Sequence, residues 1–269
     1  MTDPAPQAER RPVISSPDND TVKLLAALRR GRARREHGLF LLEGRRLLRE
    51  ALLRGAEIEK IFVCPESAGE EWDFSRPDVA VQEVSPAVMR KISALETPPG
   101  VAALARIRRE TEIGPPAPGE IVLAADNIRD PGNLGAILRT ALAAGVDKIC
   151  LTEGTVDLWN PKTVRGAMGV FFSQHILTGL SAAAVVALCR EWGALLAVCR
   201  MDAPSVFTAV RPLEAPLVLV VGSEGQGVEE EFKAAADMSV AVPMLGGVES
   251  LNAAVAAGIC LYALNGHIN

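Results

Sequence analysis

The stretch "IVLAADNIRDPGNLGAILRTALAAGVDKICL", residues 121–151, decides the fold. It begins with the apolar run "IVLAAD", passes through a polar loop, continues as a helix from Pro131 and ends in a second apolar run, "DKICL". Pro131 suits the first turn of a helix, Asp130 can cap it and Gly145 can end it. Continuous apolar strands on both sides of a helix are typical of a parallel sheet that is covered on both faces. The stretch therefore predicts a strand–helix–strand unit of an α/β fold.

The same alternation continues towards the C-terminus. Further strands are predicted at "GALLAVC" (193–199), "PLVLVVG" (216–222) and "MSVAVPM" (238–244), with helices beginning near Pro161, Ser181, Val228 and Ser250. Ligands of such sheets bind beyond the carboxyl ends of the strands. The loops after the strands are therefore the predicted location of the chemistry.

The N-terminal part divides into a tail, a domain and a linker. Residues 1–20 are rich in Pro, Asp and Ser and predict a disordered tail. The segment "TEIGPPAPG" (111–119) breaks every periodicity and predicts a linker between domains over 21–110 and 120–269. In the first domain the patterns predict helices over 22–30, 44–54 and 86–94, and strands at "LFLLE" (39–43), "IEKIFVC" (58–64), "VAVQEV" (79–84) and "GVAALARI" (100–107).

Composition excludes several classes of protein. Hydrophobic residues make up 49% of the chain, yet no run approaches the length of a membrane span, and the N-terminus lacks the apolar run of a signal peptide. The five cysteines show no CxxC spacing and lie far from the three histidines, so neither a disulfide framework nor a metal site is expected. These features predict a cytoplasmic protein without a membrane or metal partner.

The charge is unevenly distributed. The formal net charge is −5, but residues 21–54 contain ten basic residues and three acidic ones. Such a cluster indicates either a solvated arginine-rich face or a surface that binds a polyanion such as RNA. The arginines that we consider as candidates for RNA contact are Arg29, Arg30, Arg32, Arg34, Arg35 and Arg45.

One arginine lies within the apolar helix that follows the first loop. Arg139 comes four residues after Gly135 and hence on the same side of the helix, where the missing side chain is expected to leave space beside the guanidinium. An arginine here could extend to solvent or bind an anionic oxygen.

The second loop follows the strand within "VLVVGSEGQGVEEEF", residues 218–232. Its glycine spacing is not GxGxxG, and the acidic run Glu229–Glu231 at the helix start would repel a pyrophosphate. The pattern argues against a nicotinamide cofactor and favours a ligand with positive charge, or a neutral adenosine held by backbone groups. A plain tight turn is the alternative.

The third loop lies in "VAVPMLGGVESLNAAVAAGICLYALN", residues 240–265. We expect Ser250 to cap the final helix and Asn252 to lie in its first turn. That helix is apolar on nearly all sides, so it should be buried by close neighbours.

Together these three loops resemble the signature motifs of the SpoU family of RNA ribose 2'-O-methyltransferases, within the knotted SPOUT superfamily. The similar stretches are "NIRDPGNLGAILRTA" (127–141), "VLVVGSEGQGV" (218–228) and "VPMLGGVESLNAAVAAGICLY" (242–262). Residues 22–108 more loosely resemble a ribosomal-protein-like substrate-binding domain. The resemblance implies a small α/β domain followed by a parallel-sheet domain with a deep trefoil knot, and a homodimer with its sites near the subunit interface.

The resemblance also implies the cofactor and the reaction. S-adenosylmethionine would lie in the knot, and a ribose 2'-hydroxyl would attack its methyl group in line. The positions that match the family's cofactor-binding residues are Gly222, Glu224, Val242, Met244, Leu251 and Asn252. Those that match its catalytic residues are Asn133, Arg139, Glu224, Ser250 and Asn252.

Two questions stay open at this point. A guanidinium is effectively always protonated, so Arg139 suits a clamp on the phosphate and a stabiliser of the developing alkoxide, while Glu224 is the other candidate to accept the proton. The expected substrate is 23S ribosomal RNA. A transfer RNA substrate and a non-catalytic RNA-binding or ribosome-assembly factor with the same fold are the alternatives.

Overall fold

The computed structural model describes residues 12–69, 79–209 and 215–266. The chain divides into two compact units, Met1–Ile107 and Arg108–Asn269. None of the helices in these described ranges is both long enough and apolar enough to cross a bilayer.

The first unit is a mixed sheet with helices packed against it. Among its described residues, β1 pairs antiparallel with β4, β4 pairs antiparallel with β2, and β2 pairs parallel with β3. Phe62, Met89 and Leu104 belong to its buried core. The elements are α1 (Asp20–Ala27), α2 (Gly31–His37), β1 (Leu39–Glu43), α3 (Arg45–Leu53), β2 (Ile58–Val63), α4 (Pro65–Ala68), β3 (Ala80–Glu83), α5 (Pro86–Ile92) and β4 (Val101–Arg106).

The predicted disorder of the tail is wrong for residues 12–19. Ile14 forms a parallel bridge with Val84 and packs against the core of the first unit, and the Gln82 side chain donates to the Pro12 carbonyl at 2.8 Å. Backbone hydrogen bonds of Ile14 with Glu83 and Ser85, together with the contact of its side chain, hold the segment at the edge of the sheet, although its sequence has no periodicity. Residues 1–11 lie outside the described residues.

The second unit confirms the predicted parallel sheet. Its described strands follow the order β10-β8-β9-β5-β6-β7, and every neighbouring pair is parallel. The elements are β5 (Ile121–Ala125), α6 (Pro131–Ala143), β6 (Lys148–Thr152), α7 (Pro161–Ala167), a 3₁₀ helix (Val170–Ser173), β7 (His175–Leu180), α8 (Ala182–Glu191), β8 (Leu195–Cys199), a 3₁₀ helix (Val206–Thr208), β9 (Leu217–Val221), α9 (Glu230–Ala235), β10 (Met238–Val240) and α10 (Ala253–Leu264).

The strand order positions the loops. The chain passes from β5 outwards through β6 and β7, then returns to the other side of β5, where β9 pairs with it. Strands β5 and β9 are fully buried, as their continuous apolar sequences require. The first loop (126–130) and the second loop (222–229) therefore leave neighbouring strands at the same edge of the sheet.

The start of the final helix differs from the prediction. Helix α10 begins at Ala253, and its N-cap is Asn252, whose side chain accepts from the backbone N–H of Ala254 at 3.0 Å. Ser250 lies two residues earlier in non-helical backbone and does not cap the helix. The strand before it also ends at Val240 instead of Met244, so residues 241–252 form a longer third loop than the sequence pattern suggests.

The prediction of open space beside Gly135 is wrong. A Cβ at Gly135 would lie 2.8 Å from the Thr163 carbonyl oxygen and 2.9 Å from the Ala167 nitrogen, because the backbone of α7 occupies that position. Gly135 is buried while Arg139 is exposed, so the glycine permits close packing of α6 on α7 and does not serve the guanidinium.

Candidate active site

The first loop fixes the start of α6. The Asp130 carboxylate accepts from the Asn133 backbone N–H at 2.9 Å, and Lys162 of α7 donates to the same carboxylate at 3.0 Å. The hydrogen bond from Lys162 and then that from Asn133 hold the pKa of Asp130 below its ordinary value. The cap places the Asn133 side chain in the first turn of the helix, at the edge of the sheet where the loops meet.

Side chains from all three loops converge on one carboxylate oxygen. Glu224 Oε1 accepts from Asn133 Nδ2 at 3.0 Å, from Asn252 Nδ2 at 2.7 Å and from the Ala253 backbone N–H at 3.0 Å. Asn252 Nδ2 also donates to Asn133 Oδ1 at 2.8 Å, while its own oxygen caps α10. The structure thus brings together Asn133, Glu224 and Asn252, which are far apart in the sequence.

A cavity of about 420 Å³ lies beyond the ends of β8, β9 and β10. Its volume is within the range of small-molecule sites, and apolar side chains from strand ends and from α10 line it together with the backbone of the second loop. Of the predicted cofactor-binding residues, those that line this cavity are Gly222, Glu224, Val242, Met244 and Leu251, and Ser250 lines it as well.

A second cavity of about 310 Å³ adjoins the first. The first loop, Asn133 and the second loop line it, so most of the side chains around it are charged or carry amides and hydroxyls. The two cavities have five lining residues in common, and Glu224 is one of them. Two bound molecules could therefore meet at this carboxylate. The shared residues are Ser223, Glu224, Gly225, Gln226 and Ala253.

A buried carboxylate connects the first and second loops. Asp126 is fully buried, and its two oxygens accept from Thr152 Oγ1 at 2.9 Å and from the Glu229 backbone N–H at 2.8 Å. Thr152 Oγ1 accepts in turn from the Asn127 N–H at 2.9 Å. Asp126 therefore holds the beginning of one loop and the end of the other.

The second loop turns back on itself directly above its strand. Ser223 and Gly227 exchange two backbone hydrogen bonds, at 3.2 and 2.9 Å. A Cβ at Gly222 would lie only 2.1 Å from the Gly227 carbonyl oxygen. Only glycine allows this close approach, which sets the position of Glu224 between the two cavities.

Comparison with known proteins identifies the family. The sequence profile of the SpoU rRNA Methylase family matches residues 120–262, and that of the MRM3-like substrate binding domain matches residues 19–103. The 23S rRNA (guanosine(2553)-2'-O)-methyltransferase RlmP of Bacillus subtilis is 32% identical over 255 residues, which cover 94% of this chain and 99% of the relative. The chain belongs to the SpoU rRNA methylase family.

Solved structures agree with this assignment. A crystal structure of an RNA 2'-O ribose methyltransferase has a TM-score of 0.82 and 34% identity, covering 94% of this chain and 98% of the other. The AdoMet-bound rRNA methyltransferase from Sinorhizobium meliloti has a TM-score of 0.83 and 29% identity, covering 96% of this chain and 98% of the other. The SpoU architecture thus extends over both units of the chain.

Arg139 lies apart from the other predicted catalytic residues of this SpoU chain. Its side chain is exposed, it lines neither of the two cavities, and it makes no hydrogen bond or ion pair within the described part of the chain. Arg139 and Asn133 are six residues apart on α6, so they face different sides of the helix.

The six arginines predicted to contact RNA have different environments in the first unit. Arg34 is buried, and its guanidinium donates to the carbonyls of Leu28 and Arg29 at 2.8 and 2.9 Å. Arg34 is therefore not a candidate for RNA contact, because it is inaccessible to solvent and is bonded to carbonyls just after the end of α1. Arg29 is exposed but donates to carbonyls at the end of α5, including that of Lys91 at 2.7 Å, and Arg45 donates to the Gly69 carbonyl at 3.3 Å. The three others, Arg30, Arg32 and Arg35, are exposed.

The sequence analysis missed three residues of the site. Asp126 was included only as the end of a strand, and Arg129 and Gln226 were not singled out. Arg129 and Gln226 line the smaller cavity and are hydrogen-bonded to each other at 3.2 Å, although 97 residues separate them in the sequence. The polar run around Arg129 was a signal of function, but nothing local in the sequence indicates its partner.

Proposed function

We propose that this SpoU protein is an RNA methyltransferase that transfers the methyl group of S-adenosylmethionine to a ribose 2'-hydroxyl of ribosomal RNA. One observation carries the proposal: Asn133, Glu224 and Asn252 are hydrogen-bonded to one another where two cavities adjoin. A relative that spans almost the whole chain is named for this reaction on 23S ribosomal RNA.

The larger cavity fits S-adenosylmethionine. Its apolar strand ends suit an adenosine, and the backbone of the second and third loops supplies the hydrogen-bonding groups that would hold it. Glu224 adds a negative charge suited to a cationic ligand. When bound, the cofactor supplies an electrophilic methyl group on a sulfonium. Residues that would hold it are Gly222, Glu224, Val242, Met244 and Leu251, with Asn252 orienting Glu224.

Glu224 is the better placed of the two candidate proton acceptors. All three of its hydrogen bonds fall on Oε1, so Oε2 has no partner among the described residues and can face a hydroxyl. Arg139 is exposed and lines neither cavity, and a guanidinium offers donors but no acceptor. We assign proton acceptance to Glu224 and electrostatic stabilisation to Arg139.

The first unit is proposed to bind RNA. Arg30, Arg32 and Arg35 are exposed on or beside the short helix α2, and contacts of basic side chains with phosphate supply much of the affinity for RNA. We propose the domain organisation predicted from the sequence, in which residues 21–110 bind the substrate, residues 111–119 link the domains and residues 120–269 catalyse methyl transfer.

A homodimer would complete the site. Leu245, Val248 and Val255 are exposed to 87%, 54% and 49% in the third loop and the start of α10, which is unusual for large apolar side chains. Covering this surface with a second copy would bury it, and Arg139 of one copy could then reach the cavities of the other. We further propose that the second unit contains the trefoil knot of the family. We also propose a reducing, cytoplasmic location, because all five cysteines are free.

A transfer assay tests the proposal. The protein is incubated with tritiated S-adenosylmethionine and 23S ribosomal RNA transcribed in vitro, with a transfer RNA transcript as the matched alternative. We expect label in the ribosomal RNA and a 2'-O-methyl group at the modified nucleotide. Label only in transfer RNA would change the substrate class, and binding of RNA without any transfer would support a non-catalytic factor.

One variant tests the role of Glu224. Glu224→Gln keeps an oxygen in position to accept the three hydrogen bonds but removes the carboxylate. We expect the rate of transfer at saturating S-adenosylmethionine to fall about a hundredfold or more, while the protein stays folded. A rate like that of the wild type would exclude Glu224 as the proton acceptor.

A further inference from the structure

The smaller cavity is placed to hold the second reactant. It shares Glu224 and the 223–226 segment with the larger cavity, so a molecule in one lies against a molecule in the other. Its volume of about 310 Å³ is large enough for a small ligand, and its walls carry a guanidinium, two side-chain amides and two carboxylates. These side chains offer both hydrogen-bond donors and acceptors, which a nucleotide needs.

Arg129 keeps its positive charge available in this cavity. Its Nε donates to Asn127 Oδ1 at 3.1 Å and its Nη2 donates to Gln226 Oε1 at 3.2 Å. Both acceptors are neutral amides, and no carboxylate pairs with this arginine among the residues that the structure describes. The neighbouring acid, Asp130, is instead paired with Lys162 at 3.0 Å. The guanidinium is therefore held in place by amides without being neutralised.

Gln226 is oriented by the same contacts. Its Oε1 accepts from both Arg129 and Asn127 Nδ2, the latter at 3.1 Å. Since the oxygen faces these two donors, the Nε2 group is turned away from them, and it has no acceptor within the described ranges. Asn127 is fixed in turn by its left-handed backbone, with φ of 53°, and by the bond from its N–H to Thr152.

We propose that the smaller cavity receives the target nucleotide of the RNA, with Arg129 contacting its phosphate and Gln226 Nε2 donating to an acceptor on the same nucleotide. This inference rests on the proposed function and adds two substrate-contacting residues to it. A planar guanidinium binds two phosphate oxygens well, and its fixed position would reduce the entropy lost on binding. Glu224 would then lie beside the ribose, facing the methyl donor.

Steady-state methylation of 23S ribosomal RNA transcribed in vitro tests the inference. For Arg129→Ala we expect the KM for RNA to rise about tenfold or more, with the Kd for S-adenosylmethionine unchanged, because Arg129 lines the smaller of the two described cavities and not the larger. Arg129→Lys keeps the charge but loses the planar guanidinium, so its KM for RNA should lie between those of the wild type and Arg129→Ala. The matched control is Arg190→Ala, which removes an exposed arginine with hydrogen bonds of its own, to Asp237 and Ala235, in the same unit.

Salt dependence separates phosphate contact from other effects. A contact with a phosphate of single-stranded RNA contributes about 0.7 to the slope of log K against log salt concentration, so Arg129→Ala should reduce the slope by about that amount. Gln226→Ala should weaken RNA binding without changing the slope, because an amide releases no counterion.

Two outcomes overturn the inference. Wild-type kinetic parameters for RNA in Arg129→Ala and Gln226→Ala would show that the cavity does not hold the nucleotide. A loss of folding or of cofactor binding equal to the loss of RNA binding would show that Arg129 only supports the loops. Failure of the proposed function looks different, since the wild-type protein itself would then transfer no methyl group to RNA.

Discussion

Replacing Gly222 by alanine should displace the loop that carries Glu224. A Cβ at this position would lie 2.1 Å from the Gly227 carbonyl oxygen, 2.3 Å from its carbon and 2.6 Å from the Val228 nitrogen. All three are backbone atoms, so no side chain can turn away to relieve the contact. Since non-bonded heavy atoms lie well beyond 3 Å apart, the turn must move by roughly 1 Å.

A movement of roughly 1 Å is large compared with the range of distances over which a hydrogen bond forms. The hydrogen bonds to Glu224 are 2.7 to 3.0 Å long, and a displacement of this size takes them beyond hydrogen-bonding distance. We expect the rate of methyl transfer to fall about a hundredfold, as for misplacement of a reacting group by about 1 Å. The free energy of unfolding should fall by about 1–3 kcal/mol, the usual cost of overpacking.

The control is Gly225→Ala, three residues further along the same loop. A Cβ at Gly225 would meet nothing within 4 Å, and its backbone is not left-handed. This variant should unfold in urea much like the wild type. The reasoning is refuted if calorimetric titration with the cofactor, the transfer rate and the urea midpoint are the same for Gly222→Ala and Gly225→Ala.

Three further predictions concern capping, a buried arginine and the thiols. Asn252→Ala should lower the free energy of unfolding by about 1 kcal/mol through loss of the α10 cap, while Ser250→Ala should leave the urea midpoint unchanged. Arg34→Ala should lower the free energy of unfolding by about 1–3 kcal/mol, because two carbonyls lose their donor. Arg32→Ala should leave stability unchanged and weaken RNA binding in a filter assay. Equal losses of stability in the two variants would contradict this reasoning. Burial raises the pKa of the Cys150 thiol to about 12, so its contribution to stability is complete below the pKa of the unfolded thiol, near 9, and is lost as the pH rises from there towards 12. Urea unfolding at pH 8 and pH 10 should show this loss, and alkylation of native Cys150 at pH 8 would argue against it.

Much of the second unit could be predicted because its strands are buried on both faces. Residues 121–125 and 217–221 are apolar without alternation, which is the sequence signature of parallel strands under helices. The convergence of the loops followed from the same geometry. Strand β7 was missed because only Ile176 and Leu177 are buried within it, so its apolar run is too short to recognise.

The details of the site depended on tertiary contacts that local patterns do not contain. Whether the space beside Gly135 faces a ligand or a helix is decided by α7, which begins 26 residues later, at Pro161. The burial of Arg34 could not be predicted from "RRGRARRE" (29–36), because five of these eight residues are arginines and their spacing does not mark one face of a helix. Ser250 and Asn252 are equally good caps by residue type, and Asn252 caps the helix where its side chain also reaches Glu224 of the second loop.

The shared anchor at Asp126 has a dynamic consequence. One buried side chain holds both the first loop, which lines the smaller cavity, and the second loop, which lines both cavities. Thermal fluctuations of the two loops should therefore be correlated, so that both reactants drift together and their separation changes less than the position of either. Methyl transfer requires a narrow range of distances between the methyl carbon and the attacking oxygen. Correlated motion of the two loops would keep this distance within that range even though the loops themselves move.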